Sequence, residues 1–402
     1  MGCKVVRFGD IIKLEDALRM PLSSREREDR KGIYPYYGAQ GIVDRLNDYT
    51  YEGEYLLVAE DGENLRSRKA PIANSVCGRF RVNNHAHVIA KSEKYNLIYL
   101  KHLLNSTDIS AYVTGSTQPK LSQASLLSME LPIPSVEEQN LVAKVLDSFD
   151  NKIALNNRIN GYLADIASLE FSRRFNQSTP TARLGNMLSI STKSVKPQEH
   201  IGEIWEHYSI PAYDAGGHPV LECAEEIKSS KYVVDRDCIL ISKLNPSTKR
   251  IWMPACLSGH SVCSTEFIVY KLKNTKHKSF YFAALDAPGF TDFLLAHVTG
   301  STGSRQRTQP KATLDYPMPS PGSKAVADYC AFADPIYKQI EINNIEAKQL
   351  EGIRDMLLPK LLAGEINISD VERIENTEGE DLHGTIQQAI QRRPGRSHQE
   401  RL

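Results

Sequence analysis

The chain has 402 residues, 49 Lys and Arg against 49 Asp and Glu, with 41% hydrophobic and 24% charged residues. That length and composition suit two or three soluble domains and exclude a collagenous or wholly disordered chain. No run approaches the roughly eighteen apolar residues of a membrane span, and MGCKVVRFGD lacks a signal-peptide core, so a cytoplasmic protein is expected. Seven cysteines without a C-x-x-C pair argue against a disulfide framework and a zinc site.

In chain order, β-branched and apolar runs bounded by Gly, Asn, Pro and Asp predict strands over 54–60, 71–76, 87–90, 237–242 and 266–272. A short helix is expected after each group, over 95–106 and 279–290. From Pro134 to about Leu169 apolar residues recur at three- and four-residue steps through Val142, Leu146, Phe149, Ile153, Ile159, Leu163, Ile166 and Leu169, which predicts one long amphipathic helix. From Pro319 to about Leu362 the same rhythm runs through Val326, Tyr329, Ala333, Ile336, Ile340, Ala347, Leu350 and Leu357. Pro335 is expected to break or kink this second helix, its continuous part beginning there. Residues 369–402 are polar and aperiodic and are expected to be disordered.

The chain repeats itself. VTGST at Val113–Thr117 recurs at Val298–Thr302, and LPIPS at Leu131–Ser135 answers YPMPS at Tyr316–Ser320. RFGD from Arg7 matches RLGN from Arg183 more weakly, and IALNNRINGYL (153–163) aligns with IEINNIEAKQL (340–350) without a gap. A repeat this long is a duplicated domain rather than a solenoid. The expected fold is α+β, with two tandem mixed α/β domains joined and followed by long antiparallel helices in a pseudo-two-fold, coiled-coil-like plan. The expected divisions are 1–134, 135–175, 181–320, 321–364 and the tail 369–402. Paired asparagines, Asn156-Asn157 and Asn343-Asn344, fall within the helix stripes, where a polar residue costs stability but fixes register. The two helices are therefore expected to lie against each other.

The common catalytic constellations are missing from the sequence. It has no phosphate loop, dinucleotide fingerprint, nucleophile elbow or H-E-x-x-H pair; GSTGSR (300–305) lacks the lysine of a phosphate loop, and LNPST (244–248) lacks the second proline and aromatic of an adenine-methyltransferase loop. His85 and His87 are expected to point apart, a poor metal pair. Charge is unevenly spread, with nine Lys/Arg against five Asp/Glu over 60–120 and thirteen against five over 228–311, while 137–170 carries six acids and three bases. The basic stretches hold an amide-rich set: Arg66, Arg68, Lys69, Asn83, Asn84, His85 and Lys120 in the first copy, and Lys243, Asn245, Lys249, Arg250, Trp252, Arg305, Gln306, Arg307 and Lys311 in the second. Arg pairs bidentately with guanine and Asn or Gln with adenine, whereas Lys mostly neutralises phosphate. Any one of these is equally a surface or turn residue; the clustering in both copies is what points to nucleic acid.

GSTQPKLS, LPIPSVEEQ, LVAKVLDSFDNKI and RDMLLPKLLAGEI at Arg354–Ile366, in this order on a duplicated plan, resemble the specificity (S) subunit of type I restriction-modification enzymes, over nearly all of residues 5–368. LLVAEDGENLRSRKAPIA and VNNHAHVI look like target-recognition domains of that family. The resemblance implies a subunit without a catalytic site or cofactor of its own, whose two recognition domains each read one half of a split double-stranded DNA target. S-adenosylmethionine, ATP and Mg would belong to partner subunits. The helices, through Leu146, Phe149, Ile153, Asn156, Ile159, Leu163, Ile336, Ile340, Asn343, Leu350 and Leu357, would act as spacer and as docking surface for two methyltransferase subunits, with restriction subunits joining through them. A helix over 142–169 spans roughly 42 Å at 1.5 Å per residue, somewhat more than one DNA turn of about 34–36 Å. The alternatives are an S-like subunit serving a methyltransferase without a nuclease, and a non-catalytic coiled-coil adaptor whose basic loops are incidental. The second copy departs from the family pattern in carrying PGSKAVADY (321–329) where the first has VEEQNLVAK (136–144).

Overall fold

A computed structural model describes residues 4–299, 306–363 and 365 of the chain. Arg305 and the tail expected to be disordered lie outside the described residues. The chain divides into two compact units, Met1–Lys152 with Leu350–Leu402, and Ile153–Gln349. Both long helices run through the division.

In the first unit the chain opens with β1 (Lys4–Arg7), α1 (Phe8–Ile11) and α2 (Ser24–Glu28), the last started by a Ser23–Glu26 capping box. Strands β2 (Lys31–Gly38), β3 (Gly41–Leu46), β4 (Tyr51–Ala59), β5 (Ala73–Val82) and β6 (Ala86–Ala90) form one sheet in the order β3-β2-β5-β4-β6, with β2 and β5 parallel and the other pairs antiparallel. The turn α3 (Asn64–Ser67) lies between β4 and β5. Gly53 and Gly78 face each other across β4 and β5 with φ of 121° and 98°, conformations that a side chain would strain. Helix α4 (Leu97–Ser106), N-capped by Asn96, packs on β5 and β4, and α5 (Gln123–Ser128), capped by Ser122, packs on α1 and leads into β7 (Glu130–Ile133).

Helix α6 (Val136–Phe175) then begins, with Ser135 accepting from the Glu138 N–H and Glu138 accepting from the Ser135 N–H. Gln139, buried, donates to the Pro134 carbonyl at 3.0 Å and accepts from the Asn96 N–H at 2.9 Å, so one amide joins the starts of α6 and α4. Farther along, Asp150 binds Lys101 of α4 at 2.5 Å and Arg354 at 2.8 Å.

The second unit follows the same plan with different strands. It opens with β8 (Ala182–Arg183), α7 (Leu184–Met187), β9 (Leu188–Ser191), β10 (Ser194–Val195), β11 (Ile204–Tyr208), α8 (Ile210–Asp214), β12 (Val220–Cys223) and β13 (Lys231–Val233). It continues with β14 (Cys238–Ser242), β15 (Ile251–Trp252), β16 (Ser261–Cys263), β17 (Phe267–Leu272), α9 (Lys278–Asp286), α10 (Pro288–Ala296), β18 (Val298–Thr299), β19 (Arg307–Thr308), β20 (Pro317–Met318) and α11 (Lys324–Leu362). The main sheets run β15-β14-β17-β9 and β10-β13-β16-β11-β12. Ala287-Pro288 splits the single helix expected over 279–290 into α9 and α10, because proline cannot continue the first.

The repeat is visible in pairings far apart in sequence. Strand β1 pairs with β7 in the first unit, and β8 with β20 in the second, so the RFGD and RLGN openings each lie against the Pro-x-Pro segment. Each opening glycine allows a close approach: a Cβ on Gly9 would meet Leu127 O at 2.8 Å, and one on Gly185 would meet the Leu314 Cβ at 3.1 Å.

Helix α11 passes through Pro335 without a break, against the expected interruption. Pro335 and Ala331, whose carbonyl loses its partner to the proline, are both exposed, so water satisfies the freed group. Within the second unit α6 and α11 pack antiparallel, with Tyr329 donating to the Ala167 carbonyl at 3.1 Å. Their seam is an amide ladder: Asn156 donates to Glu346 at 2.8 Å, Asn160 to Asn344 at 2.8 Å, Asn343 to Asn160 at 2.8 Å, and Gln339 to Asn343 at 2.8 Å.

Candidate nucleic-acid interface

In the first unit three segments meet at the end of β4. The loop over 59–71 is joined to the Gly-Ser hairpin by backbone bridges Asp61–Lys120 and Thr114–Lys120, and Gly62 N–H donates to the Pro119 carbonyl at 3.0 Å. Arg66 extends this joint, donating to the carbonyls of Gly115 and of Ser116, the latter at 2.9 Å. The β5–β6 turn closes the third side, with Glu60 N–H on the His85 carbonyl at 2.9 Å and the His85 ring held by Asp61 at 2.6 Å.

The second unit builds the same joint. Leu244, just after β14, bridges Arg307, Asn245 N–H donates to the Gln306 carbonyl at 2.9 Å, and Thr308 N–H donates to the Lys243 carbonyl at 3.0 Å. Arg68 and Asn245 hold left-handed backbone, φ 50° and 48°, in equivalent loops. Such conformations in non-glycine residues concentrate at functional loops.

The expected binding residues separate into three groups. Arg68, Asn83 and Arg250 are engaged internally, and Lys249 is paired though exposed. The Arg68 guanidinium donates to the Leu104 and Asn105 carbonyls at 2.9 and 2.7 Å, at the C-terminal end of α4, and burial pushes its pKa down. Asn83 is buried and accepts from His85 N–H at 2.8 Å. Lys249 pairs with Asp286 at 2.7 Å, and Arg250 with Asp214 through two bonds of 2.6 and 2.8 Å. A second group is paired yet open to solvent: Arg66, His85, Lys120 on Glu60 at 3.2 Å, and Arg307 on Glu266 through two 3.0 Å bonds that raise its pKa. Lys69, Asn84 and Lys311 are exposed and Lys243 and Gln306 half-exposed, and the three lysines make no ion pair among the described residues. Trp252, named with this set from the sequence, is buried and donates to the Gly217 carbonyl at 2.9 Å.

Below the first joint lies a network that the sequence did not reveal. His87, fully buried, bonds Asp16 at 2.7 Å and the Leu121 carbonyl at 2.8 Å, while Arg19 bonds Glu60 at 2.6 Å and contacts Asp16 at 3.3 Å. Burial works against the Asp16 carboxylate, but His87, the Val88 N–H and Arg19 together hold its pKa below the ordinary value. Asp16, Glu60 and His87 have the spacing of a metal triad, but Arg19 contacts both acids and both His87 nitrogens are hydrogen-bonded within the protein. His85 and His87 have separate partners, Asp61 and Asp16.

The helix residues also separate. Leu146, Phe149, Ile153, Asn156, Asn343, Leu350 and Leu357 are buried, and Leu163, Ile336 and Ile340 half-buried. Ile159, Ile166 and Leu169, expected in the packed stripe, are 37%, 46% and 70% exposed. The packed line instead runs through Asn156, Asn160, Leu163, Ala167 and Phe171, while Leu155, Ile159, Tyr162, Ile166 and Leu169 form a second stripe at seven-residue spacing about 100° around the helix.

Each unit is an α/β platform that presents cations and amides from a pair of joined loops. Residues 2–163 match the family described as Type I restriction modification DNA specificity domain. A type I restriction enzyme specificity subunit from Haemophilus influenzae is 34% identical over 139 residues, and the EcoprrI specificity subunit from Escherichia coli is 30% identical over 147. These alignments cover 35% and 36% of this chain and 35% of each relative, about a third of their length. The MjaIX specificity subunit from Methanocaldococcus jannaschii is 25% identical over 317 residues, covering 68% of this chain and 70% of that one. The crystal structure of a type I restriction-modification S subunit from M. genitalium shares the fold, with a TM-score of 0.55 at 16% identity, over 89% of this chain and 96% of that one. The chain is thus similar to type I restriction enzyme specificity subunits, with the family match lying in its first 163 residues.

Proposed function

We propose that this chain gives a type I restriction-modification enzyme its DNA sequence specificity, each unit reading one half of a split target. The observation that carries this reading is the duplicated loop-and-hairpin joint, which presents Lys69, Asn84, His85 and Lys120 in one unit and Lys243, Gln306, Arg307 and Lys311 in the other. Lysines at these positions supply phosphate neutralisation, and the amides and arginines supply hydrogen bonds to base edges. The subunit is non-catalytic in this reading, and S-adenosylmethionine, ATP and Mg act on its partners. Two methyltransferase subunits dock on the helices, and restriction subunits join through them. The exposed stripe of Leu155, Ile159, Tyr162, Ile166 and Leu169 is the apolar face offered for that docking. Among the described residues no helix is long and apolar enough to cross a membrane.

The test is co-expression with a cognate methyltransferase subunit and genome-wide mapping of methylated adenines. A split motif is expected, with different sequences in its two halves because the loops of the two units have diverged. A stable complex without sequence-specific methylation would favour the adaptor reading.

A further inference from the structure

The second unit encloses a cavity of about 640 Å³ between its sheets and the two long helices. Its walls are apolar and aromatic, including Leu221, Trp252, Leu257, Phe282 and Tyr337. At this volume it is in the range of small-molecule sites, and the nucleic-acid reading makes no use of it. Leu221 and Leu257 at its wall remain 63% and 59% exposed, an arrangement that a purely structural void would not favour.

The charged groups around it differ in how well they are satisfied. Glu206 accepts from Tyr208 Oη at 2.7 Å, Ser261 Oγ at 3.0 Å and the Ser258 N–H at 3.2 Å, and Glu341 faces Arg236 at 3.3 Å. Lys278, the first residue of α9, also lines the cavity, but its ammonium makes no ion pair among the described residues and donates only to the Arg236 carbonyl. Burial pushes its pKa down, outweighing the opposing pull of Glu341 and Asp237, neither of which pairs with it.

We propose that this cavity binds a small apolar anion, with an aromatic or branched body against Trp252, Phe282 and Tyr337 and the anionic group on Lys278. An anion there gives Lys278 the direct ion pair that it does not make, while the apolar body leaves water.

The probes are 8-anilinonaphthalene-1-sulfonate, an aromatic anion, and N-phenyl-1-naphthylamine, a neutral relative, titrated against the full chain by fluorescence. Saturable one-to-one binding of the sulfonate is expected. Lys278→Met should weaken the sulfonate by about tenfold or more, as for loss of a charge-assisted hydrogen bond, and change the neutral probe little. Lys278→Arg should retain sulfonate binding, and Ala164→Phe, on an exposed helix position facing the cavity, should abolish both. Non-saturable binding, equal loss of both probes in Lys278→Met, or full binding in Ala164→Phe with an unchanged melting curve would each overturn the proposal. None of these readouts depends on DNA recognition, so they fail or succeed independently of it.

Discussion

Arg68 and Lys69 adjoin in the chain and face different environments. Arg68 caps the carbonyl end of α4, whereas Lys69 is exposed. Arg68→Ala is therefore expected to lower stability by about 1–3 kcal/mol, the cost of leaving buried carbonyls unpaired, as read in urea melts. Lys69→Ala should leave the melt unchanged and reduce the slope of log affinity against log salt by about one contact; an unchanged slope would remove Lys69 from the phosphate set. The clustering of Lys, Arg and Asn in both loops was legible in the sequence. Their individual roles were not, because the acceptors that draw Arg68 inward, and Asp214 and Asp286 that draw in Arg250 and Lys249, lie some 36 or 37 residues away and become neighbours only in the fold.

At the scale of an element, the long helices show how periodicity can merge two faces. Apolar residues recur along the helix from Val142 to Leu169, yet burial follows Asn156, Asn160 and Ala167 while Ile159 and Ile166 stay in solvent. The helices themselves and their asparagine register were readable; which apolar line packs depends on the neighbour. Two results should separate the faces. Asn343→Leu is expected to cost about 1–3 kcal/mol in denaturant titration by leaving Asn160 Oδ1 and the Gln339 amide N–H without the partners that Asn343 supplies. Ile159→Glu with Ile166→Glu should preserve the melt but prevent co-purification with a methyltransferase subunit. Retained co-purification would move docking to another face.

Across the whole molecule the duplication is one plan with two kinds of contact. In the first unit α4 meets the helices through Lys101, Asp150 and Arg354; in the second, Phe282 packs edge-on to Tyr337 at 5.1 Å between ring centres. Burial opposes the Asp150 charge, but its His102, Lys101 and Arg354 neighbours depress its pKa well below 3.8. A carboxylate depressed on folding stabilises fully above that ordinary value, and the contribution is lost as pH falls through the folded value. Asp150→Asn should thus lower stability at pH 7 by about 3 kcal/mol and flatten the loss below pH 3.8 in urea melts taken across pH; a variant with the wild-type acid slope would exclude this pair as its source. Recognition should follow the same division into units. The repeat at Val113 and Val298 was plain in the sequence, but the hairpins' attachment to the loops after β4 and β14 emerged only from strand pairing. Because each hairpin is joined to a loop of its own unit, substitutions in one unit should alter one half of the target alone. Lys243→Ala with Lys311→Ala is expected to relax or lose one half of the methylated motif and to leave the other half's bases intact in long-read methylation maps, while Lys69→Ala with Asn84→Ala should do the converse. Coupled changes in both halves from either pair would mean that the units do not read independently.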